Sequence, residues 1–173
     1  MKRFLVLATV LTIVALACAP AFAFEFIVGA GAGGQNQGNY AETGGWAASS
    51  GTSSAPGLLG ASRYSGATVY YGPSRQAYAW FNPTTTGYYD IQLAWPNTAG
   101  EKKTAVAVFT GNPTGGPNDQ WGNAAQTGVI VAGTMDMYYR ATDVWNTFAT
   151  LKLEAGTAYK TGVYAGYAAP GDD

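Results

Sequence analysis

Residues 88–95 alternate strictly. Tyr89, Ile91, Leu93 and Trp95 fall on one side, and Tyr88, Asp90 and Gln92 on the other. A period of two with one polar side marks a strand buried on a single face. The pattern returns over residues 148–154, where Ala149, Leu151 and Leu153 oppose Thr150, Lys152 and Glu154. From residue 24 onward no window carries the apolar period of an amphipathic helix. Further strands are expected at residues 24–28, 69–71, 76–81, 104–110, 129–131, 135–140 and 163–167. Residues 41–66 read as long loops with one short strand, and residues 112–123 as a long turn. Strands separated by Gly and Pro turns, with no helices between them, predict an all-β fold. The expected architecture is an antiparallel, jelly-roll-like β-sandwich forming one domain. Its body spans residues 39–173, and the strand at 24–28 and the Gly-rich stretch to residue 38 precede it. No fixed period repeats, which argues against a solenoid or propeller.

The first segment reads as an address. Lys2 and Arg3 precede an apolar run ending near Cys18, and Ala21-Phe22-Ala23 comes after Pro20. A basic start, an apolar middle and small residues at the end make a secretory signal peptide over residues 1–23. The run is shorter than a membrane span requires. The expected location is therefore secreted or cell-surface. A lipoprotein form through Cys18 is the poorer alternative, because Ala15-Leu16-Ala17 is a weak version of the tripeptide that precedes a lipidated cysteine. Cleavage after Ala23 would remove the only cysteine, and the chain has no histidine. The domain would then lack both side chains most readily tuned for catalysis.

Composition narrows the function classes. Charged residues are only 11% of the chain and the formal charge is −1, which leaves no basic footprint for nucleic acid. No histidine-dependent triad and no His-ligated metal site is possible. Carboxylates Asp90, Asp136, Asp143 and Glu154 fall on polar faces or strand ends, without the pairing a glycosidase needs. No enzyme activity, cofactor or metal is expected. Residues 26–34, Phe-Ile-Val-Gly-Ala-Gly-Ala-Gly-Gly, fit the dinucleotide fingerprint. That fingerprint works only where a helix begins at once and its N-terminus holds the pyrophosphate. Here Gln35-Asn36-Gln37-Gly38-Asn39 comes next, so the expectation is a mobile Gly-rich loop and no nucleotide.

The aromatic residues are the remaining candidates. Trp46, Trp80, Trp95 and Trp145 lie in or beside expected strands and read as structural, with Trp95 in the core beside Leu93. Trp121 sits in the polar loop Asn118-Asp119-Gln120-Trp121-Gly122-Asn123. A ring beside amide and carboxylate groups suits a polyol, through stacking plus hydrogen bonds, and equally suits a plug at the end of a sandwich. The candidate ligand-binding residues are Trp121, Asp119, Tyr70 and Tyr88.

Several pieces in order carry a family likeness. They are Glu25-Phe26-Ile27-Val28, then Glu42-Thr43-Gly44-Gly45-Trp46, then Gly60-Ala61-Ser62-Arg63-Tyr64. Next come Trp80-Phe81-Asn82-Pro83, Gly87-Tyr88-Tyr89 and, late in the chain, Trp145-Asn146-Thr147-Phe148. Together they resemble the carbohydrate-binding-like domain at the ends of golvesin and xanthan-lyase-type proteins. The resemblance implies a β-sandwich with no catalytic role, usually appended to secreted enzymes and surface proteins. Two departures stand out. Gly29-Ala30-Gly31 replaces the acidic or Asn residue usual after the first strand, and the usual closing strand is weak or absent. No ligand residue is carried over from the family. The expectation is a module that binds a polysaccharide or another cell-surface or matrix polymer. The alternative is a self-associating subunit of a surface layer, fibre or matrix, with residues 24–28 adding as a strand to a neighbour's open edge.

Overall fold

A computed structural model describes residues 25–43, 45–64, 75–97, 103–111, 128–137 and 139–165. The expected signal peptide, the strand at 69–71 and the long turn at 112–123 lie outside the described residues. The described residues form nine strands: β1 Tyr40–Thr43, β2 Ala47–Ala48, β3 Arg63–Tyr64, β4 Arg75–Phe81, β5 Gly87–Leu93, β6 Lys103–Thr110, β7 Val129–Asp136, β8 Asn146–Leu153 and β9 Tyr159–Ala165. Among the described residues the only helical turn is a 3-10 turn at Gln37–Asn39. None of their helices is long and apolar enough to cross a membrane. All pairings among them are antiparallel, in a five-stranded sheet β1-β4-β9-β6-β7 and two-stranded sheets β2-β3 and β5-β8. The protein is an all-β, antiparallel, sandwich-like fold, as the period-two pattern predicts.

The β5-β8 sheet packs on one face of the large sheet. Leu93 and Phe148 from the small sheet meet Val106 and Met135 from the large one, and Trp95 is buried among them. Strict alternation would put Phe148 on the solvent side of β8. A bulge prevents this: Ile91 pairs with Ala149 while Gln92 pairs with Thr147, leaving Phe148 as the extra residue. Bulges re-aim side chains in this way. The Phe148 ring then lies over Gly133, where a Cβ would stand 3.3 Å from it. A second aromatic seam runs from Phe26 to Phe81, ring centroids 5.1 Å apart, and from Phe81 to Tyr89 on β5, 5.6 Å apart.

The opposite face of the large sheet carries Ala105, Ala107, Phe109 and Tyr164, all buried, with Tyr78 packed against them. Tyr78 meets Tyr164 edge-on at 6.2 Å. The Lys160 ammonium lies 4.7 Å from the Tyr78 ring centre, and burial pushes its pKa down.

Three expectations about strands are corrected. Residues 25–28 form no strand; they are held by the Phe26–Phe81 stack and by Asn36 Nδ2 donating to the Ile27 carbonyl at 2.7 Å. Residues 129–131 and 135–140 are not two strands but the continuous β7, because Ala132, Gly133 and Thr134 between them pair in regular register with Ala107, Val106 and Ala105 of β6. Beyond Asp136 the chain turns instead, with the Tyr139 amide donating to Asp136 Oδ1 at 3.2 Å. The last strand begins at Tyr159, not at 163, since both β4 and β6 pair with that stretch. It lies in the middle of the large sheet rather than closing an edge.

Candidate functional site

The outer face of the β5-β8 sheet is built from the polar halves of two alternating strands. Their register sets Tyr88 across from Lys152, Asp90 across from Thr150 and Gln92 across from Thr147. Thr150 Oγ1 donates to Asp90 Oδ1, and Gln92 Nε2 donates to Thr147 Oγ1 at 3.0 Å. These bonds fix the two rows of side chains relative to each other. Tyr88 stands above them with 76% of its surface open to solvent. The result is a strip with one exposed aromatic ring, hydroxyl and amide groups, an ammonium and a carboxylate. Such a set can stack on an apolar ring face and hydrogen-bond to its substituents.

Of the expected ligand residues, only Tyr88 falls on this strip. Trp121, Asp119 and Tyr70 lie outside the described residues. Trp95 is 4% exposed and sits in the core. Trp145 donates from Nε1 to the Pro56 carbonyl at 2.8 Å, tying its loop to residues 54–56. Gln92, Thr150 and Lys152 stand on the polar sides of the two alternating runs of sequence, and Thr147 lies just before the second. The register that brings them side by side is not visible there.

A second polar feature lies at the β1-β3 junction. An open depression of about 290 Å³ is lined by Gly31, Gln37, Tyr40, Glu42 and Arg63, among others. Arg63 on β3 binds Glu42 on β1 in bidentate fashion, Nε to Oε1 at 2.7 Å and Nη2 to Oε2 at 2.6 Å. Tyr40 donates its hydroxyl to the same carboxylate at 2.8 Å, and Arg63 also donates to the Trp46 carbonyl. The Arg63 hydrogen bonds hold the Glu42 carboxyl below its ordinary range, against burial, which acts the other way. Burial first, and then Glu42, push the Tyr40 phenol well above its ordinary value. The guanidinium is committed to Glu42, so the network is an internal clamp joining β1 to β3 rather than a socket for an anion.

This clamp gives a pH prediction. The Glu42 pKa is lower in the folded state, so its contribution is complete above about pH 4.5, its ordinary value, and is lost as pH falls through the folded value. Glu42→Gln should cost on the order of 1–2 kcal/mol at pH 7 by leaving Arg63 without its counter-charge. Urea unfolding from pH 7 to pH 2.5 should show the difference between the two proteins closing in acid. A gap that stays constant with pH would refute the assignment.

The glycine-rich stretch is bound down along its length, where a mobile loop was expected. Gly29 N donates to the Gln35 carbonyl at 2.9 Å, Gly34 N to Gly31 at 3.0 Å, and Ala61 N to Ala32 at 3.2 Å. The Gln35 amide accepts from Leu59 N and donates to the Gly57 carbonyl, and Gln37 Nε2 donates to the Gly31 carbonyl. The glycines permit backbone-to-backbone packing between residues 29–34 and 57–61. After them the chain makes only the short 3-10 turn Gln37–Asn39, which is too short to present a helix N-terminus to a ligand.

Besides Asp90, which Thr150 engages, the two carboxylates that sequence placed at strand ends, Asp143 and Asp136, also have structural partners. Asp143, at φ 61°, accepts from the Ser54 amide at 3.0 Å, and Asp136 caps the turn after β7. No group of three or more His, Cys, Asp or Glu side chains among the described residues is arranged to hold a metal ion. Compared with family models, with curated proteins and with solved structures, the chain finds no match.

Proposed function

We infer that this chain is an exported, non-catalytic module that binds carbohydrate or another extracellular polymer along the outer face of β5 and β8. The observation that carries the reading is the exposure of Tyr88 on a strip of hydrogen-bonding side chains. A β-sheet face is rigid, and a ring held on it stacks at little cost in conformational entropy. A large ring left 76% exposed on an otherwise polar strip gains little for folding. The resemblance drawn from the sequence points the same way, as do the secretory-type first segment and the want of catalytic equipment. The role of Trp121 and Asp119 as further contacts belongs to the same proposal.

The test is a pull-down on insoluble polysaccharides, including cellulose, chitin and xylan, followed by titration with soluble oligosaccharides. Tyr88→Ala should weaken binding roughly tenfold or more, the ~1.4 kcal/mol or greater expected of an aromatic anchor. Its melting temperature should stay near that of the parent, because the ring is exposed. Binding that survives Tyr88→Ala would move the site elsewhere, and retention by no polysaccharide at all would remove the carbohydrate reading.

A further inference from the structure

Among the described residues the large sheet ends in two unlike edges. Edge β1 is four residues long, carries Glu42 and is clamped to β3 through Arg63. Edge β7 is eight residues long, and from Val129 to Met135 it has neither a charge nor a proline. Val129 and Ile130 are 39% and 42% exposed, and Ala132 and Thr134 are exposed as well. Soluble sheets usually blunt such an edge with Lys, Pro, a covering loop or a very short strand. The one irregularity is at the start of β7. Val108 pairs with Val131 and Phe109 with Val129, so Ile130 is a bulge and the ladder from 131 to 136 is regular. The solvent-side residues of that regular stretch, Ala132 and Thr134, are small and exposed, and among the described residues no strand pairs with the outer side of β7.

We propose that β7 pairs antiparallel with β7 of a second copy of this chain, about a two-fold axis near Ala132 and Gly133. The two five-stranded sheets then run on as one continuous sheet. Three observations select a second copy as the occupant. Pairing about a two-fold axis is isologous, so β7 has only to complement itself, and residues 129–135 hold no charge to repel their own copy. The two Asp136 carboxylates fall at opposite ends of the paired strands, about 20–25 Å apart at 3.3 Å per residue. A foreign strand bearing Lys or Glu would find no counter-charge along that stretch. The chain's own apolar segment at 25–28 does not serve as donor strand, because Phe26 and the Ile27 carbonyl are already engaged by Phe81 and Asn36. One strand pair buries less than the ~1,200 Å² of a standard interface, so the dimer is concentration-dependent.

The experiment uses the full chain in a Cys18→Ser background. Ala132→Cys and, as control, Ala155→Cys are treated with a short bis-maleimide. Ala132 lies on β7, and Ala155 is exposed in the turn after β8. Covalent dimer at 132 and none at 155 is the expected result; equal cross-linking at both overturns the proposal. Sedimentation of Ala132→Lys should show at least a tenfold lower association constant than the parent. Ala132→Gln, of similar bulk without charge, should stay within about threefold. Folding of each variant is checked by its near-UV spectrum. A pure chain that stays monomeric to millimolar concentration, or an association indifferent to Ala132→Lys, overturns the self-pairing, whatever other strand β7 captures. Tyr88 lies on the other sheet, so polymer binding by Ala132→Lys is read separately.

Discussion

Replacing Gly31 by alanine is expected to lower stability by about 2–4 kcal/mol, a large share of the net stability of a domain of this size. A Cβ at residue 31 would lie inside the contact distance of the Ala61 carbonyl group. That neighbour is backbone, so no rotamer change relieves the clash. Gly29 is in the same position, with its Cβ 2.5 Å from the Gly34 Cα and 2.8 Å from the Leu59 carbonyl oxygen. Separating residues 29–34 from 57–61 would break the hydrogen bond from Ala61 N to Ala32 and strain the bonds made by Gln35. Gly38 provides the control, because nothing stands within 4 Å of a Cβ built there. Gly38→Ala should be neutral or slightly stabilising through the unfolded chain. Urea midpoints at unchanged m-value measure both. Equal midpoints for the two variants would mean that the segments do not pack as described.

The second large effect is expected at Trp95. Its side chain fills the space between the sheets against Val106 and Met135. Trp95→Ala should cost about 3–5 kcal/mol, from lost burial plus the cavity left behind. The indole N–H finds no hydrogen-bond partner among the described residues in its buried position. Trp95→Phe therefore sacrifices volume but no hydrogen bond, and should cost only about 1–2 kcal/mol. Guanidinium unfolding of the two variants gives the comparison. If Trp95→Phe proves as damaging as Trp95→Ala, the N–H has a partner, such as a buried water, and the packing argument is insufficient.

The strands legible in the sequence are those whose character is local. β5 and β8 announce themselves by alternation, and β4 and β6 by β-prone runs ending near Gly or Pro. The misread stretches are those whose state depends on distant partners. Phe26-Ile27-Val28 has strand composition, yet its partner is the Phe81 ring, far along the chain. Ala132-Gly133-Thr134 looks like a break, yet the small residues there admit the Phe148 ring while β6 supplies the ladder. The candidate site divides the same way. The polarity of Tyr88, Asp90 and Gln92 is visible in one run, while the row of Thr147, Thr150 and Lys152 beside them is a product of register.

Strict alternation is a property of each strand alone. Successive side chains must point to opposite faces, so the residues by themselves determine that the protein is all-β and which side of β5, and of β8 beyond its bulge, is apolar. They do not determine strand order. Placing β9 in the middle of the large sheet, leaving β7 at its edge and turning the glycines of residues 29–34 from a loop into a packed joint all depend on contacts between residues distant in sequence. Those contacts form because backbone groups removed from water must find partners and apolar faces must meet. Only the assembled chain decides which partners are within reach.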